Sequence, residues 1–119
     1  MNSEKPIFQQ IMEMIEDDII SGTYQVHDII ISTTQISKLL SVNPTTSVKA
    51  VSNLTEEGIL YKRRGIGMCV AEGARDKILN RRKKLFLDEA VPELLMEANK
   101  LGISDAELIQ IIRNEKKQL

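Results

Sequence analysis

The tetrapeptide Ser41-Val42-Asn43-Pro44 limits this chain more than any other stretch. A proline ring fits a helix only in its first turn, and an asparagine just before it offers a side-chain acceptor to the orphan N–H groups of a helix start. One helix must therefore end ahead of these residues and another begin at them. Upstream, Ser32 is followed three residues later by Gln35, a capping-box signature that predicts a short helix from Thr33. Downstream, a second helix is predicted over Pro44 to Glu57, with Gly58 as the left-handed residue past its last turn. Two helices joined by about three or four residues form a helix-turn-helix, whose second helix lies in the DNA major groove and reads with its leading turns. Thr45, Thr46, Ser47 and Lys49 are predicted to be the exposed side chains there.

After Gly58 the pattern changes from helical to extended. Ile59-Leu60-Tyr61 is answered by Met68-Cys69-Val70 across Lys62-Arg63-Arg64-Gly65-Ile66-Gly67, which predicts a β-hairpin wing. Gly65 and Gly67 permit positive φ and close approach to a phosphate, and the three cations lie where a nucleic-acid backbone would pass. On an isolated hairpin these residues would be an ordinary solvated turn; directly after a helix-turn-helix they point to DNA. Ile29-Ile30-Ile31 is short and β-branched, predicting a third small strand beside the wing.

In its ordered set of motifs the chain resembles the GntR family of bacterial transcription regulators, in particular its short YtrA-like subfamily. The matching residues are Pro6 to Ile11, Ile20-Ser21-Gly22-Thr23, Val42 to Thr46, Lys49-Ala50, Leu54 to Leu60, Arg64 to Gly67 and Leu101 to Ser104. They span nearly the whole chain. The chain departs from the family pattern in several places: Val26-His27-Asp28 stands where Pro-Gly-Asp is usual, Ile30-Ile31-Ser32-Thr33-Thr34 where Leu-Pro-Ser-x-Arg is usual, so that Thr34 replaces an arginine that touches DNA, and Thr45 stands where asparagine is common. Loss of that arginine removes a charge, and the Thr45 exchange implies an altered operator preference. The resemblance implies a DNA-contacting set of Ser32, Thr33, Thr34, Asn43, Thr45, Thr46, Ser47, Lys49, Arg63, Arg64, Gly65 and Gly67. It also implies repression of the protein's own operon, often one encoding an ABC transporter.

The first helix is predicted from Pro6 through about Ile20, with Phe8, Ile11, Met12, Ile15 and Ile19 at helical spacing and Glu13, Glu16 and Asp17 on the other side. Its apolar stripe is expected to bury Ile36, Leu39, Leu40, Val48, Val51 and Leu54. The methionines read as core filler.

Beyond Glu72-Gly73 the pattern is helical again. Ile78, Leu85, Val91, Leu94, Leu95, Ala98 and Leu101 form a stripe interrupted at Pro92, which must kink or restart the helix. Gly102 breaks it. Ser104 to Glu107 is a further capping box opening a last helix with Leu108, Ile111 and Ile112 on one face. A helical hairpin this short has too little interior for a metabolite pocket of the usual ~300 Å³ or more, and no residue identifies a small-molecule effector. Its stripe needs a partner, and a second copy is the simplest one, with Leu85, Leu94, Leu95, Leu101, Leu108, Ile111 and Ile112 as candidate interface residues. The run Arg81-Arg82-Lys83-Lys84 points around a helix and reads as a solvated face.

The expected architecture is thus mainly α with a small β-hairpin: a winged helix-turn-helix over residues 1–72 and a helical dimerisation segment over 73–119. Two functions compete for it. One is a homodimeric regulator of a pseudo-palindromic double-stranded DNA operator; the other is a winged helix that docks proteins without DNA. Net charge is −1, and residues 1–71 carry 6 basic and 8 acidic side chains, so nonspecific DNA affinity is expected to be modest and salt-sensitive. Only four aromatic residues occur, which argues against a base-stacking platform for single strands or RNA. An enzyme is disfavoured because no nucleophile-base pair, phosphate-cradling glycine loop or carboxylate dyad is present. Neither a metal nor a cofactor is expected. His27, the sole histidine, reads as an exposed turn residue, and Cys69 as a buried strand thiol. With one cysteine, no leader pattern and no apolar stretch near 18 residues, a soluble cytoplasmic protein is expected, without a membrane partner.

Overall fold

The computed structural model describes residues 5–118 of the 119-residue chain. Helix α1 spans Ile7–Ser21, with Pro6 as its N-cap rather than its first residue. Ile11, Ile15 and Ile19 are buried on its inner face. Glu16, predicted to face outward, is buried as well: it neighbours Ile15 and Ile19 on the packed arc of α1.

Helix α2, Thr33–Leu40, starts on the predicted capping box. Ser32 Oγ accepts from Gln35 N at 3.1 Å, and Gln35 Oε1 accepts from Ser32 N at 3.0 Å. The helix stops at Ser41, which takes a left-handed conformation at φ 53° and ψ 46°. Helix α3, Pro44–Glu56, opens with Asn43 Oδ1 accepting from Thr45 N at 3.0 Å and Pro44 in the first turn. It closes in a Schellman turn. Gly58 N donates to Thr55 O at 3.0 Å and Ile59 N to Leu54 O at 3.0 Å, with Gly58 at φ 76°.

The strands β1, Leu60–Arg63, and β2, Gly67–Val70, pair antiparallel with Leu60 opposite Val70 and Arg63 opposite Gly67. The expected third strand shrinks to one bridge, Ile29 opposite Cys69. Around it His27 N donates to Val70 O, Val70 N to Asp28 O and Ile30 N to Met68 O, at 2.8 to 3.0 Å. The positive φ of His27, 72°, turns the chain away from a longer extended run.

Helices α1 and α2 both pack on α3, and α3 packs on β1. Ile11, Ile15, Ile36, Leu54, Ile59, Leu60 and Val70 meet in one core, joined by Ala74 and Ile78 from the start of helix α4, Ala74–Leu85. Full burial of each large aliphatic side chain contributes about 1.5–3 kcal/mol relative to exposure. Two residues expected in this core lie outside it: Leu39 is 68% exposed and Val48 51%. The packed stripe of α3 is Ser47, Ala50, Val51 and Leu54, at steps of three and four, and Val48 falls one position off it. Leu39 is likewise one step off the stripe of Ile36 and Leu40.

The chain forms two compact units, the first ending at Asn80 and the second starting at Arg81. In the second, the end of α4 is followed by a π-helical turn, Phe86–Ala90, and then by α5, Val91–Lys100. Val91 N donates to Phe86 O across this wider turn. Pro92 therefore restarts the helix from within: it sits in the first turn of α5, where its missing N–H is tolerated. Ile103 N donates to Ala98 O at 2.9 Å past Gly102, and Ser104 caps α6, Asp105–Gln118, by accepting from Glu107 N at 3.2 Å. Leu85, Leu94, Leu95, Leu101, Ile111 and Ile112 are exposed in the single chain, and Leu108 is half-buried.

Candidate nucleic-acid interface

Three local devices set out the candidate surface: the capped start of α2, the leading end of α3 and the tip of the hairpin. At the first, Ser32 is committed to its cap, Thr33 is half-buried and Thr34 is exposed. A threonine hydroxyl there can meet a phosphate or a base edge without adding charge.

At α3, Asn43 and Thr45 form one polar knot, with the Thr45 hydroxyl donating to Asn43 Oδ1 at 2.8 Å while both residues stay exposed. Thr46 is half-buried. Ser47 departs from expectation: it is 0% exposed, and its Oγ lies 2.8 Å from Ser37 Oγ. Its helical position puts it on the stripe with Ala50 and Val51, so it ties α2 to α3 instead of facing outward. The outward face is Thr45, Val48, Lys49 and Ser52. Lys49 is the one cation of α3, and its Nζ lies 4.1 Å above the centroid of the Phe8 ring of α1. Such a contact contributes about 0.5–1 kcal/mol at an exposed site and holds a flexible side chain at the edge of the face.

At the hairpin tip, Ile66 N donates to Arg63 O at 2.9 Å and closes the turn Arg63-Arg64-Gly65-Ile66. Gly65 takes φ 77°, a conformation that costs a side chain bearing a Cβ about 1–2 kcal/mol. Lys62, Arg63 and Arg64 are exposed, and Gly67 is half-buried beside Ile29. The base of the hairpin is braced by His27, whose Nδ1 is 2.7 Å from Tyr61 Oη and whose Nε2 is 3.4 Å from Glu72 Oε1. The candidate cations thus come from two places in the same unit, Lys49 on α3 and Lys62 to Arg64 at the hairpin tip, with the exposed hydroxyls of Thr34, Thr45 and Ser52 on α2 and α3. Such a surface can neutralise phosphates and offer donors and acceptors to base edges.

Sequence reasoning placed Ser47 on this face and left out Val48 and Ser52. The signal was the spacing of Ala50, Val51 and Leu54, which extends back to Ser47 by one helical turn. Among the described residues, no group of three or more His, Cys, Asp or Glu side chains is placed to hold a metal. No helix among them is long and apolar enough to cross a membrane.

Residues 7–70 match the bacterial regulatory proteins of the gntR family. The HTH-type transcriptional repressor YtrA of Bacillus subtilis (strain 168) is 26% identical over 111 residues, covering 93% of this chain and 85% of that protein. A crystal structure of a putative transcriptional regulator of the GntR family from Bacteroides thetaiotaomicron has a TM-score of 0.76 at 32% identity, over 95% of this chain and 98% of that one. AraR(DBD), solved in complex with operator ORR3, has a TM-score of 0.53 at 29% identity, over 56% of this chain and 80% of that one.

Proposed function

The chain belongs to the gntR family of bacterial regulatory proteins, and we propose that it binds a pseudo-palindromic double-stranded DNA operator as a homodimer and represses its own operon. The matching family and relatives are transcription regulators and not enzymes. One observation carries the DNA reading: the leading end of α3 presents Thr45 and Lys49 to solvent while the opposite side of the same turns is packed. A helix held by its back and open at its reading end is what major-groove entry needs. The exposed Arg63 and Arg64 at the hairpin tip support a second contact on the backbone or in the minor groove.

Residues 1–72 carry the DNA contacts in this proposal, and residues 73–119 join the two copies. Support for the second part is the set of exposed leucines and isoleucines on α5 and α6, which a single chain leaves in water. The repressor assignment and an operon encoding an ABC transporter follow from the YtrA-like resemblance, and the chain would act in the cytoplasm, where the chromosome lies.

A mobility-shift titration with a fragment of the protein's own promoter tests the reading. The expected result is a specific shift that weakens steeply as salt rises. No shift at any salt concentration would favour the protein-docking alternative, which requires no duplex.

A further inference from the structure

We propose that Val48 is a specificity-determining residue that reads the C5-methyl group of a thymine in the operator major groove. The inference rests on the duplex-binding reading above and names part of what that surface recognises. Val48 is 51% exposed on α3, on the same face as Thr45, Lys49 and Ser52. It is the one aliphatic side chain of that face; the apolar residues of the opposite stripe, Ala50, Val51 and Leu54, are all buried. A branched aliphatic group in the middle of a polar reading face gains nothing from water and lowers helix propensity relative to Ala. In the major groove the apolar group that distinguishes one base pair from another is the thymine methyl. A valine meets it by shape and dispersion alone.

The rest of the face leads to the same base. Helix α3 has no arginine, so the bidentate guanidinium contact that selects guanine is not available from it. Its one lysine is held over the Phe8 ring at the margin of the face. Thr45 and Ser52 carry hydroxyls that can hydrogen-bond purine or pyrimidine edges alike, and the Thr45 methyl, beside its hydroxyl, is the one other apolar group of the face. Val48 is thus the residue of the face whose whole side chain is apolar and can only favour thymine.

The test uses the full chain and a duplex selected by it from random sequence. Each thymine is replaced in turn by deoxyuridine, which deletes the methyl group and leaves every hydrogen-bonding atom in place. One thymine per half-site is expected to lose about three- to fivefold in affinity on replacement, the scale of one buried methyl group. With Val48→Ala the same replacement is expected to cost less than about 1.5-fold, a convergence that marks a direct contact. Lys49→Ala is expected to keep the full methyl effect while binding more weakly overall. Position 48 is exposed and alanine is a strong helix former, so the variant keeps its fold. Equal methyl effects in the wild-type chain and Val48→Ala, or no sensitive thymine at all while salt-dependent binding persists, would overturn the assignment and leave the operator-binding reading standing. Absence of binding to every duplex would overturn both.

Discussion

The hydroxyl of Ser47 lies 2.8 Å from that of Ser37, pinning the first turn of α3 to the middle of α2. This contact lies on the same packed stripe as Ala50, Val51 and Leu54, and with them it sets which side of α3 faces inward. With Ser47 turned in, Val48 is turned out, and the outward face of α3 is Thr45, Val48, Lys49 and Ser52. Replacing Ser47 by alanine leaves the half-buried Ser37 hydroxyl without this partner, and a loss of about 1–2 kcal/mol in urea unfolding is expected. Replacing both serines by alanine is expected to cost less than the sum of the single changes, as two partners removed together leave no orphan. Additive losses would show that the hydroxyls do not depend on each other.

Ser41 ends α2 at φ 53°, in a region that most side chains avoid. Relief of a left-handed conformation is worth about 1–2 kcal/mol, reduced by the extra freedom glycine gives the unfolded chain. Ser41→Gly is therefore expected to stabilise the protein by roughly 0.5–1 kcal/mol, seen as a rise in thermal midpoint. A fall would mean that the serine hydroxyl contributes more than the backbone conformation costs.

Lys49 sits over Phe8, at the margin of the outward face of α3. Lys49→Ala is expected to weaken DNA binding to all sequences alike and to flatten the dependence of log affinity on log salt by about one unit, as for one lost phosphate contact. Titrations at several salt concentrations measure this slope. An unchanged slope would take Lys49 out of the interface.

Arg64 follows the same logic at the hairpin tip, where the turn closed by Ile66 N and Arg63 O does not depend on the Arg64 side chain. Arg64→Ala is expected to retain the thermal midpoint and to lose about 1.5–3 kcal/mol of operator affinity, the range for a hydrogen bond to a charged group. Full affinity in the variant would make the tip a passive turn.

In the second unit, Leu95 of α5 and Ile112 of α6 are exposed in the single chain. Exchange of both for glutamate is expected to convert a micromolar dimer into a monomer by sedimentation, because two charges in an apolar contact are costly to desolvate. Binding to a palindromic operator is then expected to fall on the order of 100-fold through loss of the second attachment point. A wild-type chain that sediments as a monomer would contradict the proposed assembly directly.

Most of the local architecture was legible in the residues themselves. The capping boxes at Ser32 and Ser104, the Asn43-Pro44 start, the Gly58 stop and the two-glycine hairpin all depend on contacts within about six residues. Backbone sterics and short-range hydrogen bonds decide such features, so the order of side chains is enough to read them. Several of these points, the Asn43-Pro44 start, the Gly58 stop and the hairpin glycines, are also among the residues that carry the family resemblance. What required the tertiary structure was the rotation of each helix against its neighbours. The burial of Glu16 and Ser47 and the exposure of Leu39 and Val48 are of this kind; the shrinking of Ile29-Ile30-Ile31 to one bridge instead follows the turn at His27. Side chains on a helix step by about 100°, so a stripe read one residue off exchanges inside for outside. Helical periodicity alone tolerates that error. Packing of α1, α2 and α3 around a shared core does not, and it is that packing which decides which face of α3 is exposed.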